Sequence, residues 1–211
     1  MSGALTIAVP RGALFEESLD MLDRLGIDTG EVRGNHRKLV FPDCGLVTMR
    51  PSDVPTYVEH GSVDLGITGK DVLLEQEGRA VYELLDLGFG RCRMVVAARE
   101  GDDHLDESMR RLGTLRIATK YPRTAAAHFS NTGRHADIVE VKGSVEIAPL
   151  IGLVDGIVDL TASGRTLAEN RLEVREEIAV STARLIANPV AHKLKAGQID
   201  ELVSRIREAS S

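Results

Sequence analysis

The sequence predicts an α/β protein built as two similar lobes. Three observations predict it. Short β-branched runs alternate with amphipathic segments through almost all of the 211 residues, the pattern of mixed sheet-and-helix domains. A phrase occurs twice, as GSVDLGITGKDVL at 61–73 and GIVDLTASGRTL at 156–167. No Gly/Ser/Pro-rich linker separates the halves, so the lobes are expected to join by direct strand crossings near 90 and 180. Lobe I is then 1–90 plus 180–211, and lobe II is 91–179.

Taken in order, LTIAVP reads as a strand and LFEESLDMLDRLG as an amphipathic helix; KLVFP and LVTMR read as strands. DVPTYVEHG is helical, VDLGIT is a strand, and VYELLDLGFG closes the first series. CRMVVAA opens the second. It continues through LRIATK, a helix across TAAAHFSNTG, ADIVEV, a helix ending at Gly in EIAPLIGLVDG, and IVDLTA. EEIAVSTARLIANP is strand-like throughout, and AGQIDELVSRIREASS places Ile199, Leu202, Val203 and Ile206 on one helical face.

Hydrophobic content of 43% with 27% charged residues is ordinary for a soluble domain. Aromatics at 3%, the absence of Trp and a net charge of −6 argue against nucleic acid as partner. Cys44 and Cys92 have no metal-ligand spacing and read as buried or free thiols of a reducing compartment. No stretch approaches the roughly 20 apolar residues of a membrane span, and the start lacks a secretory pattern. A cytoplasmic protein without membrane attachment is expected.

Aligned from Gly61 and Gly156 without gaps, the copies share Val, Asp and Leu, then Gly69 with Gly164, Thr68 with Ser163 and Lys70 with Arg165. Each reads as strand, tight turn, helix start. Backbone N–H groups at such a turn lack helical partners and meet the positive end of the helix dipole, so a phosphate can supply the missing acceptors. Ser163 and Thr166 add hydroxyls, and Arg165 adds charge. Ligands of open α/β sheets bind beyond the carboxyl ends of strands. The repeat therefore predicts a central cleft with an anion-binding turn on each wall, closing on a ligand that carries phosphates.

The run EIAPLIGLVDGIVDLTASGRTL at 146–167 resembles the signature of the ATP phosphoribosyltransferase family. HRKLVFP, RPSDVPTYVEHGSVDLGITGKDVLLE, YELLDLGFGRCRMVVA, RIATKYPRTAAAHF and RLIANPVAHK are similar to that family as well. The resemblance implies the first step of histidine biosynthesis: N1 of ATP attacks C1 of 5-phosphoribosyl 1-pyrophosphate, and pyrophosphate leaves with Mg²⁺ carried by the substrates rather than by a protein metal site. It implies the two-lobed, type II fold of periplasmic binding proteins. It also implies the short form, in which the chain has no C-terminal regulatory domain, forms a homodimer and joins a regulatory subunit resembling histidyl-tRNA synthetase in a hetero-oligomer.

By the same resemblance, Thr161, Ala162, Ser163, Gly164, Arg165 and Thr166 hold the 5-phosphate, while Asp159 and Glu146 face the ribose. Arg11, Arg37 beside Lys38, and Arg50 serve the leaving pyrophosphate, and Thr68, Gly69 and Asp71 face the nucleotide. One departure stands out. Family members commonly read Lys-Gly-Arg-Leu where this chain reads RGAL at 11–14, so Ala13 replaces a cation. Either Arg11 swings across or Arg37 does more. The competing expectation is a noncatalytic two-lobed protein that binds or senses a small anion.

Overall fold

The computed structural model describes residues 3–101 and 104–209. Its contacts divide the chain into two units. One runs to Gly90 and resumes at Thr182; the other is Arg91–Ser181.

The first unit opens with β1 (Ile7–Pro10), α1 (Phe15–Arg24), α2 (Gly30–Gly34), β2 (Val40–Phe41), β3 (Leu46–Met49), α3 (Val54–Glu59), β4 (Leu65–Gly69), α4 (Lys70–Glu75) and β5 (Tyr82–Asp86). The second holds β6 (Cys92–Arg99), α5 (His104–Leu112), β7 (Leu115–Thr119), α6 (Pro122–Asn131), β8 (Ala136–Glu140), α7 (Ile147–Leu150), β9 (Gly156–Thr161), α8 (Arg165–Glu169) and β10 (Leu172–Ser181). The chain returns to the first unit with β11 (Ala183–Ala187), α9 (Pro189–Leu194) and α10 (Ala196–Ala209).

The first sheet has the order β2-β3-β1-β4-β11-β5. β1 is parallel to β3 and β4, whereas β11 is antiparallel to both β4 and β5. β1 (IAVP) and β4 (LGITG) are buried at every position, as expected of central strands covered on both faces. α1 packs through Phe15, Leu19 and Leu22, the i, i+4, i+7 spacing of one helical face, with Glu16 and Glu17 in its first turn and Arg24 in its last, matching the helix dipole. α10 closes the same core with Ile199, Leu202 and Ile206, and Val203 packs beside them. Asn188 anchors α9: its side-chain oxygen accepts from the N–H groups of Val190 (2.9 Å) and Ala191 (2.8 Å), the N-cap arrangement.

The second sheet has the order β10-β6-β9-β7-β8. β9 is antiparallel to β6 and parallel to β7. Separate apolar cores form on its two faces.

The architecture is the α/β class expected. The helix in EIAPLIG is a single turn, Ile147–Leu150. Within the strand-like EEIAVSTARLIANP, β10 ends in the second unit at Ser181 and β11 begins in the first at Ala183. Thr182 makes the passage, and its hydroxyl donates to Asp86 Oδ1 at 2.8 Å.

Candidate active site

β9 is the middle strand of its sheet, so the loop at its carboxyl end opens beyond the sheet rather than along its edge. Residues 162–164 form that loop, and α8 starts at Arg165. Gly164 adopts φ +77°, the left-handed conformation that glycine enters without a Cβ penalty. Its N–H donates to Thr161 Oγ1 at 2.8 Å, which locks the turn. The helical ladder begins only with Ala168 N–H on the Gly164 carbonyl at 3.0 Å. Among the described residues, no acceptor within the chain meets the N–H groups of Ser163, Thr166 and Leu167. α8 is too short for its dipole to matter much; what this loop can offer an anion is these three amides, the Ser163 and Thr166 hydroxyls, and the Arg165 charge.

A cavity of about 370 Å³ lies over this loop. Glu146, Asp159, Thr161, Ala162, Ser163, Arg165 and Thr166 line it, and Gly164 sits within the same loop. Asp159 is 8% exposed. Burial pushes its carboxyl above the usual range; the Leu160 N–H and the Lys120 ammonium pull it back, and the nearby Glu146 charge adds to the rise.

Lys120, which the sequence reading passed over, lies 3.8 Å from Asp159 Oδ2 and lines the cavity together with Tyr121. The signal for it was topological. β7 and β9 are parallel neighbours, so the residues following both strands emerge on the same side.

The first copy of the repeat folds differently. Val158 and Asp159 lie inside β9, but their counterparts Val63 and Asp64 precede β4. Asp64 is tied down by Thr6 N–H (2.8 Å), the Thr6 hydroxyl (2.9 Å) and Lys195 Nζ (2.8 Å). Burial raises its carboxyl, but these partners outweigh that and hold it below the usual range. β4 passes into α4 with no intervening loop, and Gly69 is in extended conformation at φ −78°, ψ 149°. The Thr68 hydroxyl is buried and donates to the Pro51 carbonyl at 3.1 Å. Lys70 Nζ pairs with Glu83 at 2.7 Å. The groups equated with Ser163 and Arg165 are thus engaged inside the first unit. Asp71 is buried with its carboxylate folded over Gly69, where an added Cβ would stand 2.1 Å from Asp71 Oδ1. The two copies thus differ in local structure: the gap-free alignment brings the two helix starts together but not the strands.

Of the three arginines, Arg11 has four of its five N–H donors engaged. Its Nε and Nη2 donate to Thr48 Oγ1 at 2.9 and 2.8 Å, Nη2 donates to the Lys38 carbonyl at 2.8 Å, and Nη1 donates to the His36 carbonyl. Arg37 and Arg50 are exposed, and neither side chain has a partner among the described residues. Lys38 pairs with Glu31 at 2.5 Å. Among the described residues no three His, Cys, Asp or Glu side chains gather as a metal site. No described helix is long and apolar enough to cross a membrane.

The family model described as HisG, ATP phosphoribosyltransferase, matches residues 50–208. The chain belongs to the ATP phosphoribosyltransferase family. It is 51% identical over 205 residues to an ATP phosphoribosyltransferase of Rubrobacter xylanophilus, covering 96% of this chain and 94% of that one. Among solved structures it is similar to the ATP phosphoribosyl transferase (HisG:HisZ) complex from Thermotoga maritima, with a TM-score of 0.81, 34% identity and 98% of each chain covered. Its fold is also that of the periplasmic aliphatic sulphonate binding protein SsuA from Escherichia coli, at a TM-score of 0.64 and 12% identity, covering 100% of this chain and 73% of that one. The ATP phosphoribosyltransferase fold seen here is therefore the type II periplasmic-binding-protein fold.

Proposed function

We infer that the chain transfers the 5-phosphoribosyl group of 5-phosphoribosyl 1-pyrophosphate to N1 of ATP and releases pyrophosphate, the first step of histidine biosynthesis. The observation that carries this reading is the pairing, in one cavity, of a phosphate cradle on residues 161–166 with the buried carboxylate of Asp159. A sugar phosphate needs both: amide and hydroxyl donors for the phosphate, and an acceptor for the ribose hydroxyls.

Displacement at the anomeric carbon builds positive charge on the sugar and negative charge on the departing oxygen. Asp159 accepts from the ribose hydroxyls, and with Glu146 it places negative charge beside the sugar as its oxocarbenium character grows. Lys120 balances Asp159 before substrate arrives. Arg37 and Arg50, whose guanidinium groups have no partner among the described residues, neutralise the pyrophosphate as it leaves. Mg²⁺ enters as part of the substrates, complexed to their phosphates, and adds further neutralisation of the leaving group. Within the nucleotide half, Thr68 and Gly69 shape the end of β4, and Asp71 is the group assigned to hydrogen bonding with ATP.

The related Thermotoga maritima structure is a HisG:HisZ complex. By analogy this chain is assigned a regulatory partner resembling histidyl-tRNA synthetase, together with a homodimer of its own, in the cytoplasm. The test of the reaction is incubation with ATP, Mg²⁺ and 5-phosphoribosyl 1-pyrophosphate, following the N1 adduct and pyrophosphate, and then the reverse direction. Tight binding of both substrates without turnover in either direction, with or without the partner, would support the noncatalytic binding protein instead.

A further inference from the structure

We propose that Arg11 is a positioning residue: it braces the chain on both sides of Arg37 and so presents the Arg37 guanidinium to the leaving pyrophosphate. The proposal rests on the role given to Arg37 above.

An arginine side chain has five N–H donors in a planar fork. Four of Arg11's are committed: two converge on Thr48 Oγ1, one reaches the Lys38 carbonyl and one the His36 carbonyl. The two carbonyls belong to the residues immediately before and after Arg37. Thr48 is a buried residue of β3, and its own N–H donates to the Leu39 carbonyl at 2.8 Å. The fork therefore ties the 36–38 segment to a buried residue of β3, the strand between β2 and β1.

From the other side, Asn35 Oδ1 accepts from the N–H groups of Arg37 (3.2 Å) and Lys38 (3.1 Å). His36 and Arg37 are exposed, so polar bonds rather than apolar burial hold them. The result is a fixed backbone carrying an exposed, unpartnered guanidinium. An Arg11 that swung toward substrate would release its own four bonds at once and loosen the segment that carries Arg37. A lysine at 11 has a single nitrogen and cannot span the three acceptors.

The test is a double-mutant cycle read by kcat and KM together with amide hydrogen exchange of residues 36–39. Arg11→Ala and Arg37→Ala are each expected to lower kcat by about 10- to 100-fold, with a smaller change in KM. The double variant should be no slower than Arg37→Ala alone, because Arg11 acts through Arg37. Arg11→Ala should speed exchange at 36–39 by about tenfold, whereas Arg37→Ala leaves it unchanged. Arg11→Lys should behave like the alanine variant in both readouts, because bracing needs the fork and not a point charge.

Multiplicative losses in the double variant, full turnover in Arg11→Lys, or unchanged exchange in Arg11→Ala would each overturn the proposal. Unchanged turnover in Arg37→Ala, with fast exchange still seen in Arg11→Ala, would overturn the leaving-group role of Arg37 and leave the bracing standing.

Discussion

Replacing Gly164 tests the phosphate cradle at its most sensitive torsion. At φ +77° an L-residue costs roughly 1–2 kcal/mol. No heavy atom stands within 4 Å of an added Cβ, so the cost in Gly164→Ala is torsional, with no packing clash to confuse it. The strain is relieved if the loop leaves the left-handed region, which breaks the 2.8 Å bond from Gly164 N–H to Thr161 Oγ1 and turns the amides away from the phosphate. Binding must restore the strained form, so affinity for 5-phosphoribosyl 1-pyrophosphate should fall by the same energy, about 5- to 30-fold at 1.4 kcal/mol per factor of ten. Asn, which tolerates this conformation better than other residues, should fall between Gly and Ala; β-branched Val should be worst. Calorimetric titration with each substrate provides the measurement. A Gly164→Val protein that binds 5-phosphoribosyl 1-pyrophosphate as tightly as the parent would refute the argument, as would equal losses for it and for ATP with the fold intact.

Burial raises the Asp159 carboxyl above its usual range, so folding disfavours its charged form relative to the unfolded chain. Its contribution to stability is complete below the unfolded value and is lost as pH rises through the folded value. Asp159→Asn should therefore raise Tm at pH 7 while weakening 5-phosphoribosyl 1-pyrophosphate binding, and the Tm gain should shrink on acidification; a gain that grows instead contradicts the assignment. Lys120→Met removes the opposing charge and should move the acid limb of substrate binding to higher pH, as read from KM against pH. Arg165→Met and Thr166→Ala should weaken 5-phosphoribosyl 1-pyrophosphate binding severalfold. Lys70→Met, whose partner Glu83 already occupies it, should change either affinity by less than about twofold and stability by about 0–1 kcal/mol; parallel losses in Lys70→Met and Arg165→Met would restore the two copies to equal function. With the regulatory partner absent, histidine should leave turnover unchanged, and strong inhibition of the chain alone would place a histidine site within it.

The alternation of strands and helices was legible because the apolar spacing of α1 and α10 and the wholly buried runs of β1 and β4 follow directly from one-sided and two-sided burial. The turn and helix start at 161–166 were legible for a similar reason: small residues and hydroxyls that follow a β-branched run end a strand and open a helix. What was hidden depended on partners far away in sequence. Asp64 and Asp159 match in the repeat, yet Thr6 and Lys195 bind the first, while the second sits buried with the Leu160 N–H at 2.9 Å and the Lys120 ammonium at 3.8 Å. Lys120 reaches the site only through the pairing of β7 with β9. Arg11 bonds to backbone carbonyls, which have no residue-type signature, so its fork looked like a free cation.

β11 lies between β4 and β5, yet it is encoded after the whole of the second unit. As the chain leaves the ribosome, the first unit must wait with two strand edges open until residues 183–187 have emerged, while Arg91–Ser181 already holds every strand of its own sheet. The later-made unit should thus be the first to close. Proteolysis of released chains truncated after residue 181 should spare the second unit and cut within the first; protection of the first 90 residues in that truncated chain would show that their sheet does not depend on the missing strand between β4 and β5. That result would mean that translation order and folding order are reversed in this protein, with the open edges of β4 and β5 the place where a growing chain is exposed to mispairing.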